Sequence, residues 1–174
     1  MIFALFFFFA SVPTYRFWVD PCLDTSKGCE TTDPDLAAWA FEAWQQASGG
    51  LLQLTRVNDP AQAAIRLHWV GARDGVYGEV RGSEVYVRPA PREEDRLLRE
   101  TVTYLTCLHE AGHALGLAHT ANFEDIMYSF QFGGDIPEYF GRYRRKLAKR
   151  EDIRKNPGMS DTDRKRWVVL CSHR

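Results

Sequence analysis

The sequence predicts an α+β domain with five strands, two long helices and a C-terminal helix. Three observations carry this. Five short segments are rich in aromatic and β-branched residues, several with period-2 alternation. Two longer stretches place apolar residues at helical spacing between start and stop signals. A His-Glu-x-x-His sequence at 109–113 needs a helix, because only there do residues four apart share a face.

Residues 15–19 alternate large apolar and polar side chains and read as the first strand. Cys22 and Cys29 then flank a short polar loop, a spacing that suits a local disulfide or two free loop thiols. No second Cys or His pair lies near them to make a zinc site. Asp33 as N-cap and Pro34 at the first helical position start a helix. Leu36, Ala40, Ala43, Trp44 and Ala47 form its apolar face, and Gly49-Gly50 stops it. Residues 51–57 read as a second strand, broken by Asn58-Asp59-Pro60. Residues 64–70 read as a third, with Ile65, Leu67 and Trp69 on one side. Segments 76–80 and 83–88 form two more around Arg81-Gly82.

Glu93, Glu94 and Asp95 belong at a helix N-terminus, where negative charge favours the dipole. That helix buries Leu97, Leu98, Thr101, Leu105 and Leu108, runs into His109 and ends at Gly116. The stretch 131–158 includes a basic, helical-looking run at 141–150. Glu151 and Asp152 follow directly, so a solvated loop or helix face is favoured over nucleic-acid or membrane binding. Ser160 and Asp163 look like a capping pair for a last helix through Trp167, Val168 and Leu170. Cys107 and Cys171 read as buried small apolar residues.

At 174 residues one domain is expected, over 13–174. Residues 1–12 are a candidate signal peptide: the apolar run 1–10 has the length of an h-region, although no Lys or Arg precedes it. A first core strand is the other reading. A net charge of −1 gives no reason to expect nucleic acid, and no apolar run is long enough for a membrane span. A secreted or extracytoplasmic monomer is the expectation.

His109 and His113, on one helix face, can each give a nitrogen to one Zn²⁺ at about 2.0–2.1 Å. Glu110 beside them is free to take a proton from a metal-activated water. A third ligand cannot come from the same straight helix. Gly116 lets the chain turn back so that His119 completes the set. One catalytic ion with an open position follows.

The pattern H-E-x-x-H-x-x-G-x-x-H, with Met127 shortly downstream in Asp125-Ile126-Met127-Tyr128, resembles the metzincin metallopeptidases. The Ile-Met-Tyr turn looks most like the matrixins. The resemblance implies the metzincin fold, a sandwich with a twisted five-stranded mixed sheet. It implies an antiparallel edge strand, within 76–87 here, that binds an extended substrate. It implies a zinc-dependent endopeptidase acting on proteins or peptides, with Glu110 as general base and Met127 as an apolar floor under the imidazoles. Tyr128 and the segment after it would shape the pocket beyond the cleaved bond. Phe130, Phe132, Tyr139 and Phe140 suggest an apolar pocket or ordinary core packing. The chain departs from the matrixins at Ser129, where they have Pro, at Thr120, where they have Ser, and in its long 131–158 insertion. His68 and His173 are too few for their structural zinc, and no calcium loop is evident. His68 reads as an ordinary strand histidine. The rival reading is a non-catalytic, zinc-stabilised binding module.

Overall fold

The computed structural model describes residues 12–71 and 77–173. Its strands are β1 (Thr14–Val19), β2 (Gln53–Arg56), β3 (Ile65–Trp69), β4 (Gly78–Arg81) and β5 (Glu84–Val87). Its helices are α1 (Asp33–Ala47), α2 (Arg96–Ala114), α3 (Ile136–Arg144), α4 (Asp152–Lys155) and α5 (Asp161–Ser172). The α+β class and the five-stranded mixed sheet are as expected.

The sheet order is β2-β1-β3-β5-β4. The β1–β2, β1–β3 and β3–β5 pairs are parallel, and β4 runs antiparallel to β5 at the edge. Parallel neighbours need crossovers, and α1 supplies the one between β1 and β2. Phe17, Val19, Ile65, Leu67, Trp69, Val85 and Val87 alternate onto one face and are buried there. The two long helices cover that face. They are also joined through polar contacts: the Trp44 Nε1–H donates to the Leu108 carbonyl at 2.9 Å. The Trp167 Nε1–H of α5 donates to the Trp44 carbonyl at 2.7 Å, so α5 closes over the pair.

Three local expectations need correction. Asp33 is the first residue of α1, and Thr32 holds the cap position. The Asp33 carboxylate is buried because it receives both ends of the Arg99 guanidinium from α2, at 2.8 and 2.7 Å. The basic run 141–150 is only partly helical, since α3 ends at Arg144 and a turn follows. Strand β4 begins at Gly78, and residue 76 of the expected strand lies outside the described residues. The apolar run 1–10 also lies outside them. By contrast, Ser160 with Asp163 forms a capping box for α5, as read from the sequence. Asp95 stands at the N-terminus of α2 as expected, and there its side chain also caps the helix by accepting from Leu98 N. Cys22 and Cys29 form a disulfide, while Cys107 and Cys171 are free and buried.

Candidate metal centre

His109 and His113 project from the last two turns of α2. The helix stops at Leu115, and Gly116 takes φ +93°, a left-handed conformation that a Cβ would oppose. Backbone bonds from Gly116 N to His113 O and from Leu117 N to Gly112 O, both 2.9 Å, tie off the end. The reversed chain brings His119 back to the other two.

The three Nε2 atoms form a nearly equilateral triangle with sides of 3.0, 3.0 and 3.2 Å. On two of the rings the opposite nitrogen is committed to a carbonyl. His109 Nδ1–H donates to Ile126 O at 2.6 Å, and His113 Nδ1–H donates to Leu117 O at 2.8 Å. A carbonyl only accepts, so both Nε2 atoms are left with lone pairs directed inward. With His119 Nε2 3.2 and 3.0 Å from these two nitrogens, a cation placed among the three would meet donors on three sides. Donors about 2.0–2.1 Å from a tetrahedral zinc stand roughly 3.3 Å apart, which these three nearly match. This is the one group of metal-ligating side chains found among the described residues. Burial pushes the His109 pKa down to about 4, and the two neighbouring imidazoles act in the same sense, so the ring is neutral and fit to ligate at pH 7. Burial, then His113, lowers that of His119.

Met127 lies beneath this turn and is fully buried. A Cβ on Gly112 would stand 2.5 Å from its sulfur and 2.9 Å from the Trp44 ring, so only glycine lets α2 approach the methionine this closely. The segment carrying Met127 is fixed from two sides. Thr120 N donates to Met127 O at 2.8 Å, linking it to the residue after His119. From α5, the Asp163 carboxylate receives Ile126 N at 2.7 Å and, more weakly, Met127 N at 3.4 Å. The Ile126 carbonyl that orients His109 therefore belongs to a peptide held by Asp163. The Tyr139 O–H donates to Asp125 O at 3.0 Å, with the Ile126 carbonyl as a longer second acceptor at 3.3 Å.

Glu110 is buried between α2 and the edge strand. A Cβ on Gly78 would come within 2.5 Å of its Cγ, so a glycine at this strand position makes room for the carboxylate. Burial, with a smaller contribution from the Glu79 charge, pushes the Glu110 pKa up to about 8. A divalent charge among the imidazoles acts in the opposite sense. Neither Gly78 nor Glu79 was picked out in the sequence as a site residue. Strand pairing brings them to Glu110, and only a glycine in a strand hinted at close approach.

Two depressions meet here. One, about 580 Å³, places Glu110 and the three histidines beside Gly78, Glu79, Val80 and Gly82 of the β4 edge. The other, about 240 Å³, starts at His109, Glu110 and His119. Its far wall is apolar: Tyr77, Leu105, Tyr128, Phe130, Tyr139 and Phe140. Phe132 is 55% exposed and takes no part in that wall. His68 lies apart on β3, with Nε2 2.7 Å from Glu84.

No protein-family model matches the chain, and no relative is found among curated proteins.

Proposed function

We propose that this chain is a zinc-dependent endopeptidase of the metzincin type, matrixin-like in its metal site. The observation that carries the reading is the inward-facing triangle of His109, His113 and His119 Nε2 atoms, with the buried Glu110 carboxylate beside it in a cleft along an open strand edge. A zinc ion held by three neutral imidazoles supplies Lewis acidity, acidifying a water and polarising a carbonyl.

The chain's own residues do the rest. His109, His113 and His119 hold the metal, and the Ile126 and Leu117 carbonyls fix two of the rings in the ligating tautomer. Glu110 acts as general base, taking the proton of the attacking water and passing it to the leaving amine. Its enclosure between α2 and Gly78 keeps bulk water from solvating the carboxylate. Among the described residues β4 is bonded only to β5 in the sheet, so its other edge can receive an extended peptide as one more strand. The apolar recess at Tyr128 takes the side chain that follows the cleaved bond. A purely structural zinc site would fill its fourth position and gains nothing from a buried carboxylate next to it. The Cys22–Cys29 disulfide favours an extracytoplasmic location.

The test is incubation of the zinc-loaded protein with a peptide library, read by mass spectrometry with and without chelator. Chelator-sensitive cuts preceding large apolar residues are expected. An intact library in the presence of fully loaded protein would favour the binding-module reading.

A further inference from the structure

The 131–158 insertion builds a second cavity, of about 470 Å³, away from the histidines. It shares Leu105 and Tyr139 with the apolar recess, so the two lie on opposite sides of one wall. Four cations surround it: Arg142 of α3, Lys146 of the following turn, Lys155 of α4 and Arg164 of α5. One carboxylate, Glu124, stands among them.

Ion pairing divides most of the insertion's cations by place; Lys149, outside the cavity, also has no ion-pair partner among the described residues. Arg144 is bonded to Asp95, Arg145 to Glu138, Arg150 to Glu100 and Arg154 to Glu42. Among the described residues, none of the four cavity cations has an ion-pair partner. Arg142 instead sits against two rings, with its guanidinium carbon 4.8 Å from the Phe123 centroid and 4.7 Å from that of Tyr139. Those contacts hold a rotamer-rich side chain in place, and the nearby Glu138 carboxylate, which feels the Arg142 charge, is bonded to Arg145. Arg142 and Arg164 are half-buried, and Lys146 and Lys155 are exposed beside the opening. Like charges converging on a concavity cost free energy that a merely solvated face avoids by spreading outward.

We infer that the cavity ringed by Arg142, Lys146, Lys155 and Arg164 is a binding site for acidic side chains of a peptide. Its size takes one or two side chains, whereas a sulfated glycan or nucleic acid engages an extended basic track. That the anion arrives on a peptide rests on the proposed peptidase function. The preference for carboxylates over neutral groups rests on the cavity alone.

The test is fluorescence anisotropy with labelled oligoglutamate and oligoglutamine on the intact chain. Oligoglutamate should bind, weakening as salt is raised, and oligoglutamine should not. Lys146→Gln/Lys155→Gln and, separately, Arg142→Gln/Arg164→Gln should each weaken binding by about fivefold or more, from roughly 0.5 kcal/mol or more per screened charge pair. Arg145→Gln/Arg154→Gln, which removes equal charge from paired positions, should leave it within about twofold. The exposed lysine pair keeps the test valid if the arginine pair disturbs folding. Equal losses in the cavity and control variants, or no oligoglutamate binding, would overturn the inference. So would a size-matched heparin fragment that binds more tightly than oligoglutamate and loses nothing in the cavity variants. Peptide cleavage plays no part in these readouts, so failure here is distinct from failure of the peptidase reading.

Discussion

At the scale of single residues, the metal site depends on what each side chain is prevented from doing. His109 and His113 cannot turn their Nε2 atoms away, because their Nδ1–H groups are spent on carbonyls. Glu110 cannot be fully solvated, because Gly78 packs against it. Glu110→Gln preserves shape and removes the base. It should keep stoichiometric zinc and lower the peptide-cleavage rate by about a hundredfold or more; full activity with zinc bound would remove Glu110 from that role. A second residue-scale prediction concerns Glu84. A hydrogen bond from Arg66 lowers its pKa, opposed in part by burial and aided by His68. A carboxylate depressed in the folded state contributes stability above its unfolded pKa, and loses it as pH falls through the folded value. Urea midpoints measured between neutral pH and about pH 3 should therefore fall less for Glu84→Gln than for the parent. Identical acid sensitivity would show that the carboxylate adds no such stability.

Among elements, the site depends on α5, which contributes no ligand to it. Asp163 caps its own helix with Ser160 and also grips the Ile126 and Met127 amides through the same carboxylate. Asp163→Ala should cost about 1–3 kcal/mol, because the buried Ile126 amide loses its acceptor and the capping box loses one arm. It should also weaken zinc binding by about tenfold, because the peptide that orients His109 is released. Unchanged zinc affinity in a competition titration would show that the segment holds itself. The α1–α2 contact has a comparable dependence on one buried pair. Asp33→Ala strands the Arg99 guanidinium at 2% exposure, and should destabilise the fold by about 3 kcal/mol in urea unfolding. A change below about 1 kcal/mol would mean that Glu30, 3.5 Å from Arg99 Nε, takes over the pairing.

For the whole molecule, what could be read from the sequence follows from how local each signal is. The five strands, the acidic start of α2, the cap at Ser160 and the turn at Gly116 are set by neighbours within a few residues, and each was legible. The helix cap at Asp33 was misread because its partner, Arg99, is distant in sequence and reaches it only through packing of α1 on α2. The three ligands were legible because helix periodicity and one glycine place them. Gly78 was not, because its role beside Glu110 arises from sheet pairing. The insertion's basic residues looked uniform in sequence, and only the tertiary fold separates the paired from the unpaired. The disulfide and the three-histidine cluster are present, and no helix among the described residues is long and apolar enough to cross a membrane. All of the proposed chemistry depends on three imidazoles meeting at one ion. X-ray absorption at the zinc edge of the loaded protein measures this directly. It should report three imidazole nitrogens at about 2.0–2.1 Å with one further light-atom donor and no sulfur. Two imidazoles, or any sulfur in the coordination shell, would contradict it.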